Sequence, residues 1–309
     1  MKRQVFLYSK LTAIPIVALL VFASVLATPN RGSVKQRARR NSPSLETNQF
    51  QSKLLNRILP YNVILPRDYR ISSTRYPVLD LLHGLSGHYS DWITRTNIAD
   101  YAALYRMIVV MPEGNDGWYT DSATVSNDKY ESYVLKELIP DVQRRYRTIE
   151  TRFGRGIAGL SMGGYGALKF GLKFPATFIF AGSMSGAFAG PLWTEKDLKD
   201  PGAIRDSVLS VFGPAISETR KANDIFAIVT SWPAGRVGLL PYFYLDCGTE
   251  DGLLSNNTEF DALLRERKIP HEYRELPGNH SWAYWDQQVQ EVLKIAAEKL
   301  HASNFRSTH

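Results

Sequence analysis

Residues 159–163 read Gly-Leu-Ser-Met-Gly, and they lie where two periodicities meet. Upstream, residues 155–158 form a short run of buried-strand character. Downstream, residues 162–174 carry small and apolar side chains at helical spacing and stop before Pro175. A chain passes from strand to helix over one residue only through a sharp, strained turn. Gly159 and Gly163 remove the Cβ atoms that such a turn would force together. The turn presents the Ser161 hydroxyl at the end of a strand and the start of a helix. This pattern predicts a parallel sheet whose central strand feeds a helix, and it makes Ser161 a candidate nucleophile.

The rest of the chain alternates in the same way. Strands are expected at 50–55, 58–65 and 76–82, the last strongly apolar and central, with a helix over 89–105. A buried strand at 107–111 ends at Pro112. Helical periodicity over 129–147 places Tyr133, Leu135, Leu138, Ile139, Val142 and Tyr146 on one side, with Pro140 set to kink it. Beyond the elbow come a strand at 178–181 and a loop at 182–190. Residues 191–236 are charged and helix-forming, with Trp193, Phe212, Phe226 and Trp232 scattered through them. They are expected as a helical, cap-like insertion over one side of the site. A strand at 242–246, a helix at 259–268, a strand at 271–276 and a closing amphipathic helix at 282–301 complete the series. This alternation predicts an α/β fold, a mostly parallel sheet flanked by helices. With 309 residues, one domain of about 250 residues plus terminal extras is expected, over 47–303, with a tail at 304–309.

The N-terminus has the layout of an export signal. Lys2, Arg3 and Lys10 precede an apolar run over 11–26, broken by Pro15, and Ala27 closes a small-residue cleavage site. A signal peptide over 1–27 is expected, with an uncleaved membrane anchor as the alternative, so the body should work outside the cytoplasm. Polar, basic residues 28–46 are expected as a disordered linker. The formal net charge is +7, but residues 1–40 hold eight Lys or Arg and no acid, which leaves the remainder at −1. No basic face for nucleic acid is expected, and membrane contact only through the N-terminal segment. Cys247 is the single cysteine. An internal disulfide is therefore excluded, and its apolar surroundings suit a buried filler.

A serine hydroxyl needs an imidazole to take its proton and a carboxylate to orient that imidazole. Two late strands run into loops that supply them. One loop reads Cys-Gly-Thr-Glu-Asp-Gly over 247–252, the other Pro-Gly-Asn-His-Ser-Trp over 277–282. Among six histidines, His280 sits on a turn before the last helix, whereas His301 and His309 fall at the C-terminus and His271 begins a strand. Asp251 beside Gly252 is the favoured acid, Glu250 its rival, and Asp246 is assigned structural hydrogen bonds to loop backbone. An oxyanion hole needs two backbone N–H groups. Met162 follows the nucleophile, and Leu85 lies in the Gly84–Gly87 turn after an early central strand. His83 and His88 in that turn lack carboxylate or cysteine ligands beside them, so no metal and no cofactor are expected.

Six segments, 76–87 (YPVLDLLHGLSG), 111–122 (MPEGNDGWYTDS), 130–146, 156–166 (GIAGLSMGGYG), 248–251 (GTED) and 278–285 (GNHSWAYW), resemble in order the putative-esterase (esterase D-like) family of α/β-hydrolases. That family includes S-formylglutathione hydrolases, tributyrin, feruloyl and acetyl-xylan esterases, and mycolyltransferases. The resemblance implies the α/β-hydrolase fold, a triad of Ser161, Asp251 and His280, and oxyanion donors at Leu85 and Met162. It also implies that the Trp118-Tyr119 loop and the 191–236 insertion border the substrate pocket, with Trp118, Tyr119 and Trp282 as substrate-binding candidates; core packing is the other role open to Trp118, Trp282 and Trp285. The expected activity is that of an exported serine carboxylesterase acting on short-chain or carbohydrate-linked acyl esters. Alternatives are a mycolyltransferase-type acyltransferase, an S-formylglutathione hydrolase-like thioesterase, a peptidase, and a non-catalytic carbohydrate- or wall-binding domain.

Overall fold

The computed structural model describes residues 44–199 and 201–301. The signal peptide expected over 1–27, nearly all of the linker and the 304–309 tail lie outside the described residues. The first two strands form a hairpin, β1 (Ser44–Ser52) and β2 (Arg57–Leu65), paired antiparallel from Ser52 opposite Arg57 to Ser44 opposite Leu65. β1 starts three residues before the expected domain boundary at 47, which corrects the linker's end. The polarity that reads as linker is that of an edge strand. Its residues alternate between half-buried and exposed, so Thr47 can sit in it and donate to Asn62 Oδ1 at 2.6 Å.

Next come β3 (Val78–Leu82), two short helices α1 (Asp91–Arg95) and α2 (Ile98–Ala102), and β4 (Ile108–Pro112). The single helix expected over 89–105 is broken at Thr96. Its extended backbone ends α1, and its hydroxyl takes the Ile98 N–H at 3.1 Å. A competing side-chain acceptor of this kind restarts a helix. The 129–147 helix likewise divides into α3 (Tyr130–Tyr133), a wide π turn over Val134–Leu138, and α4 (Ile139–Arg145). Pro140 has no N–H to give, and its ring would strike the carbonyl four residues back, so the turn before it opens.

β5 (Arg155–Leu160) leads through Ser161 into α5 (Met162–Lys173), followed by β6 (Phe180–Met184). The 191–236 segment carries α6 (Ala203–Phe212), α7 (Glu218–Asn223) and α8 (Ile225–Ser231). Then come β7 (Tyr242–Gly248), α9 (Leu254–Glu266), β8 (His271–Leu276) and α10 (Trp282–Lys299). The eight strands form one sheet in the order β1-β2-β4-β3-β5-β6-β7-β8. β1, β2 and β4 pair antiparallel, and every pairing from β4 through β3 to β8 is parallel.

Alternation along the strands splits the core into two layers. Val78, Leu82, Ile108, Val110 and Ile157 face α5 and α4, while Leu79, Leu81, Val109, Met111 and Ala158 face α10, α1 and α2. Asp80 interrupts the apolar run of β3. Its buried carboxylate takes a hydrogen bond from Arg155 Nη1 at 3.2 Å, since a charge so placed needs a partner. Among the described residues, no helix is long and apolar enough to cross a membrane. The parallel strands bring the loops after β3, β5, β6, β7 and β8 to one edge of the sheet, as such sheets do at their ligand sites.

Candidate active site

Ser161 occupies the turn at φ 53° and ψ −117°, well outside ordinary non-glycine conformations. The two flanking glycines make it possible. A Cβ on Gly159 would stand 2.6 Å from the Gly163 carbonyl, and one on Gly163 would stand 2.5 Å from the His83 oxygen. The turn is tied to β6 by Ser161 N–H donating to Met184 O at 2.9 Å.

His280 and Asp251 converge on this serine. His280 Nε2 lies 3.0 Å from Ser161 Oγ, and His280 Nδ1 lies 2.9 Å from Asp251 Oδ2. Burial raises the Asp251 pKa, but hydrogen bonds from His280, the Leu253 N–H and Ser185 outweigh it and hold the carboxyl below its usual range. An ionised carboxylate only accepts, so Nδ1 carries the ring proton and Nε2 is free to accept from the serine. Glu250 is placed otherwise. Its carboxylate accepts from Thr249 Oγ1 at 2.8 Å and from the Gly278 N–H at 2.5 Å, so it braces the histidine loop without meeting the imidazole. Asp246 departs from its expected role. Its carboxylate accepts from the Tyr284 hydroxyl at 2.9 Å, with no bond to loop backbone, because β7 aims it into the α10 layer. Burial pushes its pKa up to about 7. Cys247 is buried, and burial followed by the nearby Asp251 and Asp246 charges pushes its thiol up to about 12.

The two candidate oxyanion amides border the same cavity. Met162 is the first residue of α5, so its N–H has no intrahelical acceptor. Leu85 lies in a turn closed by Gly87 N–H to Gly84 O at 3.1 Å. His83 sets that turn's orientation. Its buried ring accepts the Gly114 N–H on Nε2 at 2.8 Å, which leaves the proton on Nδ1 to donate to Gly84 O at 2.7 Å. In a trans peptide the C=O and the next N–H point opposite ways. Holding Gly84 O toward His83 therefore turns the Leu85 N–H away from it, to the cavity side.

The cavity is about 750 Å³ and has two aromatic walls. Trp118, Trp193 and Ile204 line one, with the Trp118 and Trp193 rings 6.0 Å apart at 85°. Trp282 and Trp285 line the other, where Trp285 stands edge-on to His280 at 4.9 Å and 88°. Trp118 is fixed by Nε1–H to Ser207 Oγ of α6 at 3.0 Å, which joins the expected insertion to the site. Fully buried Lys169 holds the same loop from beneath, donating to Tyr119 O at 2.5 Å and Thr120 Oγ1 at 2.8 Å beside Glu131 at 2.8 Å.

Trp118 and Trp282 thus line the cavity as expected of substrate-side residues, and Tyr119 does not. Tyr119 is fully buried, its hydroxyl donates to His83 O at 3.1 Å, and its ring packs under Gly114 and Gly166. Adjacent residues at φ 50° and 49° bury both rings in the core, Trp118 at 1% exposure, and only Trp118 also borders the cavity, which sequence adjacency does not say. Trp285 belongs to the core and lines the cavity as well. Sequence reasoning missed Ser185, Ile204, Asp91 and Arg95. None sits in a motif, and only the closing of separate loops brings them to the site.

The sequence matches the family described as Putative esterase over residues 52–295. An acetyl esterase of Caldicellulosiruptor saccharolyticus is 30% identical over 252 residues, 78% of this chain and 93% of that protein. Esterase Rv1288 of Mycobacterium tuberculosis (strain ATCC 25618 / H37Rv) is 33% identical over 261 residues, 78% of this chain; the match spans 56% of the longer protein. A ferulic acid esterase structure superposes with a TM-score of 0.71 at 26% identity, covering 84% of this chain and 99% of that one.

Proposed function

Because the chain belongs to the Putative esterase family and is a carboxylester hydrolase of the α/β-hydrolase fold, we propose that it is an exported serine esterase working through an acyl-enzyme on Ser161. One observation carries this reading: the unbroken chain Ser161–His280–Asp251 beside the amides of Leu85 and Met162 in one cavity.

His280 Nε2 takes the Ser161 proton as Oγ attacks the ester carbonyl carbon. The carbonyl electron pair moves onto oxygen, and the Leu85 and Met162 N–H groups hold the oxyanion; one such donor is worth about 3 kcal/mol. The intermediate collapses, the C–O bond to the alcohol breaks, and His280 returns its proton to the leaving oxygen. Water then attacks the acyl-enzyme with His280 as base, and the acid departs as Ser161 regains its proton.

Proton return by His280 puts the leaving alcohol on the Trp282 wall and the acyl group on the Trp118–Trp193 wall. An apolar acyl wall facing a wall with Asp91, Arg95 and Ser281 suits short acyl groups on polar alcohols, such as carbohydrate hydroxyls. The signal-like residues 1–27 support export.

Hydrolysis of p-nitrophenyl acetate by wild type, Ser161→Ala and His280→Ala tests the mechanism. Both variants should lose at least 10³-fold in kcat; retention of activity by either would end the triad reading. Acyltransfer is tested in the same assay by adding a sugar acceptor. New sugar ester formed in excess of free acid would favour a transferase over a hydrolase.

A further inference from the structure

Ser185 stands where the backbone favours glycine. It follows β6 directly at φ 50°, in the left-handed region, and its side chain is wholly buried. Its N–H donates to Asp246 O at 2.8 Å, which fixes it against β7. Trp285 Nε1–H donates to its Oγ at 3.3 Å. The hydroxyl proton then remains to be given, and two acceptors lie close, the Asp251 carboxylate and the Cys247 sulfur. A carboxylate is much the stronger acceptor. The same Trp285 whose N–H reaches Ser185 stands edge-on to the His280 ring at 4.9 Å.

We propose that Ser185 and Trp285 are a positioning pair for the Asp251–His280 couple, closing a ring of contacts from Trp285 through Ser185 and Asp251 to His280 and back to Trp285. The inference rests on the triad reading above. A buried carboxylate that must face a histidine has two tasks, to stay ionised and to keep its plane fixed. His280 takes Oδ2 at 2.9 Å and the Leu253 N–H takes Oδ1 at 2.8 Å. The Trp285 N–H on the Ser185 oxygen leaves its hydroxyl proton to be given, in this proposal to the neighbouring Asp251 carboxylate. The Trp285 ring limits rotation of the imidazole on the opposite side. A buried serine kept in the left-handed region persists only where its surroundings over-determine it.

The sign on pH follows from charge. Removing the Ser185 hydroxyl leaves more of the Asp251 charge facing Nδ1, which favours the charged form of the ring and moves the acid limb of kcat to higher pH. Other titratable groups near the couple are Asp246 and Cys247 on β7, Glu250 held by the Gly278 N–H, and Tyr284 committed to Asp246. All are unchanged by the substitutions below.

The test compares Ser185→Ala, Ser185→Gly and Trp285→Phe with wild type and Ser161→Ala, measuring kcat and KM for p-nitrophenyl acetate against pH, together with Tm. Ser185→Ala and Ser185→Gly should each lower kcat about tenfold with KM within twofold. The acid limb of kcat should move to higher pH. Ser185→Gly relieves the backbone strain, so its Tm should equal or exceed that of Ser185→Ala while its activity stays low. Trp285→Phe keeps a ring against His280 and loses the N–H, so a smaller fall of about threefold is expected. Adding it to Ser185→Ala should cost nothing further, since both act through one hydroxyl. Wild-type kcat and an unmoved acid limb in Ser185→Gly would overturn the proposal. Activity surviving in Ser161→Ala would instead overturn the triad on which it rests.

Discussion

Glu250 and Gly278 hold each other twice: Glu250 Oε2 accepts the Gly278 N–H at 2.5 Å, and the Glu250 N–H donates to Gly278 O at 2.9 Å. This clasp joins the loop after β7 to the loop after β8, two residues from His280. It divides two adjacent acids by role, Glu250 as brace and Asp251 as the imidazole's partner. Asp251→Asn should lower kcat on p-nitrophenyl acetate by roughly 10³–10⁴-fold, as loss of a triad carboxylate does. Glu250→Gln keeps an oxygen for the Gly278 N–H and should stay within a few-fold of wild type, with its effect on Tm. A large loss of kcat confined to the Glu250 variant would reverse the assignment.

In the proposed mechanism His83 acts on the reaction through one carbonyl. It holds Gly84 O with Nδ1–H and takes the Gly114 N–H on Nε2, and this orients the Leu85 amide. His83→Ala should lower kcat by about 10–100-fold with little change in KM, because the oxyanion forms only after substrate binds. His83→Asn can offer its amide N–H to Gly84 O near where Nδ1 stood, and should recover part of the loss. Equal damage by Asn and Ala would show that the Gly84 carbonyl is not what matters.

Asp246 predicts a pH dependence of stability opposite to that of the paired carboxylates. Burial lifts its folded pKa to about 7, against about 3.9 unfolded. Between those values the folded state binds the extra proton, so this group's contribution is complete below about pH 4 and is lost as pH rises toward 7. Asp246→Asn keeps an acceptor for the Tyr284 hydroxyl and removes the titration. The difference in unfolding free energy between wild type and variant should therefore shift against wild type across pH 4–7. A pH-independent difference would mean that Asp246 is ionised throughout.

Sequence made the candidate nucleophile legible because strand, elbow and helix are local: one period ends at Leu160 and another begins at Met162. His280 and Asp251 were legible for a similar reason, each being on a short loop directly after a readable strand. The same logic failed at β1, where an edge strand's polarity looks like a linker, and at Tyr119, where two consecutive left-handed residues send neighbouring rings apart. Ser185 and the Lys169–Glu131 pair left no trace in the sequence. Their partners are 100 and 38 residues away and meet them only once the sheet is assembled.

The two aromatic walls make a prediction about selectivity. Trp193 stands half-buried at the cavity edge with its ring against Trp118, on the wall assigned to the acyl group. Its indole borders the space proposed for the acyl chain, whereas Trp282 stands on the wall proposed for the alcohol. Trp193→Ala should therefore lower kcat/KM for acetate and raise it for longer acyl chains, up to about three- to fourfold per methylene that gains an apolar surface. Trp282→Ala should leave the acyl-length profile nearly unchanged and alter the ranking of alcohols instead. The check is a matrix of p-nitrophenyl and methyl esters from acetate to octanoate with both variants. Should Trp193→Ala change the ranking of alcohols while the acyl optimum stays at acetate, the two walls would have to exchange roles. His280 would then have to reach the leaving oxygen from the Trp118 side, which its contact with Trp285 on the opposite wall opposes.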